Sequence, residues 1–283
     1  MTSFTLACVQ TSATTDMARN LDDAERLIRE ARARGADFIA TPENVALLQR
    51  NFAIAKGQAR PLAEHPAVVR FGALASELGC WLMAGSIATL EPDGRLANTS
   101  VLFDATGGVA ASYGKIHLFD VDLPGKSYRE SATYRPGTRA VLAQTPWGPL
   151  GMTVCYDLRF PHLYRDLAKA GAVMLSVPSA FTKLTGDAHW HVLLRARAIE
   201  TGCWVFAPAQ HGVHDGGYLT FGHSLIVDPW GRVVADGGEG VGVITATIDL
   251  GKVMEVRGQI PSLAHDRPYQ VVELGADDQA AAE

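Results

Sequence analysis

Three stretches of this chain recur in the same order, and that repetition constrains the fold more than any single residue does. Gly35-Ala36-Asp37-Phe38-Ile39-Ala40-Thr41-Pro42 is echoed by Gly171-Ala172-Val173-Met174-Leu175-Ser176-Val177-Pro178, and Gly79-Cys80-Trp81-Leu82 by Gly202-Cys203-Trp204-Val205. Ser100-Val101-Leu102-Phe103-Asp104 returns as Ser224-Leu225-Ile226-Val227-Asp228, each time opening a hairpin whose turn is set by Asp and Gly. Each half therefore reads strand, helix, strand, helix, strand and hairpin. The strands are short and apolar on both faces, as required where one face meets helices and the other a second sheet. Two such halves predict an α/β fold, an αββα sandwich with a pseudo-twofold internal repeat.

Helix ends are marked by residues that satisfy or terminate the backbone. Asn20 is placed to cap Leu21 to Ala31, which puts Leu21, Ala24, Leu27, Ile28 and Ala31 on one face before Gly35. Pro66 opens and Gly79 closes a helix over Ala67 to Leu78; Pro161 and Gly171 bracket another. Asp187 is the expected cap of a helix running to about Thr201.

The 283 residues fit a single domain over 1–274, with a frayed tail over 275–283 that carries Asp277 and Asp278. A formal charge of −5 and no Lys/Arg run argue against a nucleic-acid footprint. No apolar stretch reaches the ~18 residues that span a bilayer, and Met1-Thr2-Ser3-Phe4 lacks a basic leader, so a cytoplasmic location is expected. Four cysteines in a chain this long make no disulfide framework and no paired metal spacing, which fits a reducing compartment and a metal-free site.

One cysteine stands apart. Cys8, Cys80 and Cys203 lie within or at the start of apolar runs and read as small core hydrophobes. Cys155 follows Pro149-Leu150-Gly151-Met152-Thr153-Val154 and precedes Tyr156-Asp157-Leu158-Arg159-Phe160-Pro161, where an apolar strand breaks into charge. A thiol at a strand end and helix start faces backbone N–H groups, which are expected to lower its pKa and to hold an oxyanion. Two other strand ends carry complementary groups: Glu43 after Thr41-Pro42, and Lys115 after Gly114. A carboxylate to move the proton, an ammonium to face an oxyanion and a thiol to attack are together what covalent amide hydrolysis needs.

Thr41-Pro42-Glu43-Asn44, Gly114-Lys115-Ile116-His117-Leu118 and Val154-Cys155-Tyr156-Asp157-Leu158-Arg159-Phe160-Pro161 resemble the Glu-Lys-Cys signatures of the nitrilase superfamily of carbon–nitrogen hydrolases. The resemblance runs from about Phe4 to Tyr269. It is strongest to the Nit branch of ω-amidases and deaminated-glutathione amidases, through Leu118-Phe119-Asp120-Val121-Asp122, Pro178-Ser179-Ala180-Phe181 and Arg195-Ala196-Arg197-Ala198-Ile199-Glu200-Thr201. It implies a second glutamate at Glu130, a preference for amides over nitriles, a homodimer or larger homo-oligomer, and no cofactor.

The mechanism so implied has Glu43 take the Cys155 proton during attack on a primary carboxamide, Lys115 and the Tyr156 backbone N–H hold the oxyanion, and Glu43 protonate the departing ammonia. The substrate is a small carboxylate-bearing amide, deaminated glutathione or the ω-amide of an α-keto acid. Arg159 is the expected fork for its carboxylate, or else a partner of Asp157; Phe181, Thr185 and His189 line the substrate's polar end. Arg195, Arg197 and Glu200 read as an internal ion pair, and His211, His214 and His223 as scattered loop histidines without a nearby carboxylate, poor metal ligands. An N-carbamoyl amino acid hydrolase and a nitrilase would use the same triad, and a silent scaffold would have no chemical need of it.

Overall fold

The computed structural model describes residues 3–49, 51–124 and 126–273. Strand β1 (Ser3–Gln10) leads to α1 (Met17–Ala33), β2 (Phe38–Ala40), α2 (Phe52–Gln58) and α3 (Pro66–Leu78), then to β3 (Trp81–Leu90), β4 (Leu96–Phe103) and β5 (Val109–Gly114). A hairpin of β6 (Asp120–Leu123) and β7 (Lys126–Arg129) precedes the second half. That half runs β8 (Val141–Thr145), β9 (Gly148–Met152), α4 (Pro161–Lys169), β10 (Met174–Ser176), α5 (Lys183–Thr201) and β11 (Trp204–Ala207). The hairpins β12 (His211–His214)/β13 (Tyr218–Phe221) and β14 (Leu225–Val227)/β15 (Val233–Asp236) come next, then β16 (Gly242–Asp249) and α6 (Gly251–Gln259).

One sheet has the order β16-β1-β2-β3-β4-β5 and the other β15-β14-β11-β10-β9-β8. Taken from opposite edges the two orders match strand for strand, β9, β10, β11, β14 and β15 standing where β1 to β5 stand. The sequence repeat is thus a topological one. In each sheet three central strands are parallel and the flanking ones antiparallel.

The period-2 alternation of the strands sorts their side chains into two layers. Leu6, Cys8, Phe38, Met83 and Leu102 join the core between the sheets, while Ala7, Val9, Ile39, Leu82 and Val101 pack with α1 and α3 on the outside. Across the inner layer Phe38 meets Phe206 edge-on at 5.5 Å, and Phe4 stacks on Trp147 at 4.2 Å. Gly85 decides how closely the sheets approach at the end that matters. A Cβ there would collide with the Thr41 carbonyl and come within 2.6 Å of Pro178 Cβ. Glycine lets β3 pass the ends of β2 and β10, which sets Pro42-Glu43 beside Pro178.

The helix boundaries correct two expectations. Asp16, not Asn20, caps α1 by accepting from Arg19 N, and Thr182, not Asp187, caps α5 by accepting from Thr185 N. Several cap-competent residues precede each helix, and the local pattern does not rank them. Asn20 instead lies buried inside α1, where its amide bonds Thr14 N, Thr14 O and Ala46 O at 2.8, 2.8 and 3.0 Å. It thereby anchors the segment that follows Glu43. Pro66 and Gly79 bound α3 as expected, Gly79 in the left-handed conformation at φ 58. The tail expected over 275–283 lies outside the described residues, and no described helix is long and apolar enough to cross a membrane.

Replacing Asn20 with Ala leaves Thr14 N and Ala46 O without their side-chain partner, while Thr14 O keeps its bond from Leu48 N; each stranded group costs about 1–3 kcal/mol if water does not reach it. Urea unfolding of Asn20→Ala should give a midpoint displaced by at least about 2 kcal/mol; a displacement below about 0.5 kcal/mol would mean the segment is held elsewhere.

Candidate active site

The carboxyl ends of strands from both sheets meet at one edge of the sandwich, as is usual for sites in α/β folds. Glu43 follows β2, Lys115 follows β5, and Cys155 follows β9 through Thr153 and Val154. All three are at least nine-tenths buried, at 3%, 2% and 8% exposure. Lys115 Nζ lies 3.0 Å from Glu43 Oε1 and 2.9 Å from Glu130 Oε2. Asn98, on β4, donates one amide group to both carboxylates, at 2.9 Å to Glu43 and 3.2 Å to Glu130. The second oxygen of Glu43 accepts from Ala180 N at 2.8 Å, and the Glu43 carboxylate also meets the Cys155 thiol. Gln210, fully buried, fixes the Glu43 main chain by donating to its carbonyl at 3.0 Å.

Glu130 accepts from Lys115, from Asn98 and from Phe119 N at 2.7 Å. Its oxygens are thus committed to holding the ammonium and the 117–119 loop. Glu43, by contrast, stands between the ammonium and the thiol.

The electrostatics of the thiol depart from the sequence expectation. Burial pushes the Cys155 thiol far up from its ordinary range, and the Glu43 charge pushes it further; Lys115 opposes this without prevailing. Burial alone would strip the Lys115 proton, but Glu130 and Glu43 outweigh it and hold the ammonium well above its usual pKa. The expected lowering at a helix start fails because Cys155–Arg159 form only a 3₁₀ turn, too short for a strong dipole, while α4 begins six residues later at Pro161. The resting site is a thiol, a carboxylate and an ammonium. Cys155 also adopts a left-handed backbone at φ 49, as does Asn44 at φ 57; such strain in non-glycine residues costs about 1–3 kcal/mol and concentrates at functional sites.

Asp157, read from sequence only as a possible partner of Arg159, ties the nucleophile to the lysine. Fully buried, it accepts from Val154 N at 2.8 Å on one side of Cys155, and from Tyr113 Oη at 2.7 Å and His117 N at 3.0 Å on the two sides of Lys115. The His117 ring stacks on Phe160 at 3.5 Å. Arg197, also buried, closes the 3₁₀ turn by donating to the Leu158 carbonyl at 2.7 and 3.1 Å while pairing with Glu200 at 2.8 Å. Arg195 belongs elsewhere, on the Gly231 carbonyl. Cys155 N is spent on Pro178 O, and Tyr156 N is second in the 3₁₀ turn, among the first amides that a helical turn leaves without an internal partner.

A cavity of about 370 Å³ opens over these groups, in the range of small-molecule sites. Glu43, Lys115, Glu130, Cys155, Phe181 and Thr185 are among its walls. Arg159 and His189 are not; the guanidinium lies over the rings of Phe181 and Tyr156, at 5.2 and 5.9 Å, with His189 Nδ1 at 3.2 Å. It therefore backs two aromatic walls and does not pair with Asp157. Asn98, Gln210 and Tyr113 escaped the sequence reading. The available signal was polar residues inside strands otherwise wholly buried, such as Asn98-Thr99-Ser100 in β4. His223 needs a correction of another kind: Asp236, thirteen residues on and across a hairpin, lies 2.9 Å from its Nδ1.

The carbon–nitrogen hydrolase family pattern matches residues 5–258. A protein of Yersinia enterocolitica named deaminated glutathione amidase is 40% identical over 271 residues, covering 94% of either chain. The crystal structure of the Caenorhabditis elegans NitFhit protein superposes with a TM-score of 0.89 at 37% identity, over 94% of this chain and 66% of that longer one. A mutant amidase of Nesterenkonia, solved with the acetamide moiety of fluoroacetamide covalently added at its active-site cysteine, superposes at 0.77 with 26% identity over 89% of this chain and 92% of its own. The motifs, the doubled sandwich and these likenesses agree, and the chain belongs to the carbon–nitrogen hydrolase family, in the Nit branch of the nitrilase superfamily.

Proposed function

We propose that this protein is a thiol amidase that cleaves a small carboxylate-bearing amide through a Cys155 thioester. The observation that carries the reading is the contact of one Glu43 carboxylate with both the Lys115 ammonium and the Cys155 thiol at the floor of a ligand-sized cavity. Because the thiol rests protonated, attack and deprotonation go together: Glu43 takes the proton as sulfur adds to the carbonyl carbon. The oxyanion then faces Lys115 and Tyr156 N–H. Glu43 returns the proton to the leaving nitrogen, which departs as ammonia from a primary carboxamide or as an amine from a substituted amide. Water, deprotonated by Glu43, releases the acid and restores the thiol.

The name borne by the Yersinia relative supports deaminated glutathione as substrate class. Glutathione's linkages are substituted amides, so that substrate would leave as an amine, and an assay must follow the acid product as well as ammonia. Arg159 is the proposed carboxylate partner. It pairs with no carboxylate among the described residues and lies against two cavity walls, Phe181 and Tyr156, and a substrate carboxylate would have to share the guanidinium with His189 Nδ1. Further parts of the reading are a homo-oligomer, supported by exposed Val192 and Met254 on α5 and α6, and a reducing, cytoplasmic setting, supported by four unpaired cysteines.

Acid release from deaminated glutathione, α-ketoglutaramate, succinamate and carbamoyl amino acids tests the assignment; turnover confined to carbamoyl compounds or nitriles would overturn it. Cys155→Ala should fold normally and lose all but background turnover, and residual activity above about 1% would remove the thiol from its role. Lys115→Met should lower kcat about 10²–10³-fold, the usual loss on removing an oxyanion donor. An unchanged kcat with raised KM would make Lys115 a binding group instead. For Arg159→Met, kcat/KM for an anionic amide relative to a neutral analogue should fall by roughly 10- to 100-fold, the worth of one charged hydrogen-bonded contact. An unchanged ratio would return Arg159 to a purely aromatic-stacking role.

A further inference from the structure

Outside the catalytic cavity, two imidazoles and a carboxylate from three separate elements converge on one point. His191 lies mid-way along α5, His223 follows β13, and Asp236 ends β15. Asp236 Oδ2 is 3.1 Å from His191 Nε2, and Oδ1 is 2.9 Å from His223 Nδ1; a nitrogen of each imidazole and a carboxylate oxygen all lie within 4.8 Å of one another.

The groups are held in place from behind. Phe221 stacks on the His223 ring at 4.5 Å and receives the His191 ring edge-on at 6.0 Å. The His223 main chain donates to Gly238 O at 2.9 Å and accepts from Trp190 Nε1 at 2.7 Å. Among the described residues His223 is also the third non-glycine residue in the left-handed region, at φ 52, with Asn44 and Cys155 of the catalytic cavity the other two. Burial disfavours the Asp236 charge, but Gly238 N–H and the two imidazoles outweigh it and keep the carboxyl below its ordinary pKa.

We propose that His191 Nε2, His223 Nδ1 and a carboxylate oxygen of Asp236 are three ligands of a site for a borderline divalent transition-metal ion, zinc above all. The oxygen–nitrogen separations approach the ~3.3 Å edge of a tetrahedron built on bonds of about 2.0 Å, so little movement is needed to replace the hydrogen bonds by an ion. Two imidazoles with one carboxylate suit Zn²⁺, Co²⁺ or Ni²⁺, whereas Mg²⁺ and Ca²⁺ require oxygen donors and Cu⁺ prefers sulfur. To bind, each ring would turn a lone pair to the ion and carry its proton on the other nitrogen. Side-chain exposures of 24% to 37% leave a fourth position for water. The ion would pin α5 to the β14/β15 hairpin. It would also bear on the catalytic cavity from behind, because Phe221 N donates to Phe181 O at 2.9 Å and Phe181 forms one of its walls.

The test uses the full chain carrying Cys155→Ala, so that the catalytic thiol takes no metal. Zn²⁺ titrated against a chromophoric competitor should occupy one site per chain, and Co²⁺ at that site should show the visible absorption of a low-coordinate ion. His191→Ala, at a half-buried helical position where alanine is a good helix former, should weaken binding roughly 100-fold or more, and Asp236→Ala likewise. His265→Ala, remote and exposed, should leave it unchanged. Absence of a stoichiometric site, or Zn²⁺ binding that survives His191→Ala undiminished, would overturn the proposal.

Discussion

A lysine ammonium with no water around it is the constraint from which the site is built. Lys115 is 2% exposed, and a lone charge there would shed its proton. Two carboxylates prevent that, Glu43 and Glu130, each within 3.0 Å of Nζ. Two carboxylates that close would repel each other in turn, and the shared Asn98 amide, donating to both, relieves the repulsion. Of the two carboxylates, Glu43 is the one that also meets the Cys155 thiol.

That contact explains why the nucleophile waits as a thiol. In cysteine hydrolases with a histidine base the pair can rest as thiolate and imidazolium, because the base becomes a cation. Here the base is an anion, and a second anion on sulfur would stand beside it in a buried place. In the proposed mechanism the charge is instead passed directly to the substrate oxygen, for which Lys115 and the Tyr156 amide are the proposed partners. Asp157 makes the arrangement reproducible, since one buried carboxylate fixes main chain or side chains next to both Cys155 and Lys115.

What could be read in the sequence was whatever the strands carry to their ends. Glu43, Lys115 and Cys155 terminate three apolar runs, and the doubled words around Pro42 and Pro178 announced two sheets of the same plan. What could not be read depends on contacts between distant segments. Asn20 looks like a cap until Ala46 is seen to need its amide, and Asp157 looks like a partner for Arg159 until Tyr113 arrives from β5 and His117 from the loop after it. The upward shift of the thiol is hidden in the sequence for the same reason. A local motif shows the turn that Cys155 opens, but neither the burial that dominates its shift nor the carboxylate that adds to it, 112 positions earlier, is written there. His223 found its carboxylate only through the β14/β15 register.

The central claim is that charge and burial hold the nucleophile protonated until substrate arrives. The ultraviolet thiolate band, read as the difference between the wild-type chain and Cys155→Ala across a pH titration, measures that state directly. The account predicts no Cys155 thiolate at neutral pH and its appearance, if at all, only well above the ordinary thiol range. One full equivalent of thiolate at neutral pH would contradict it.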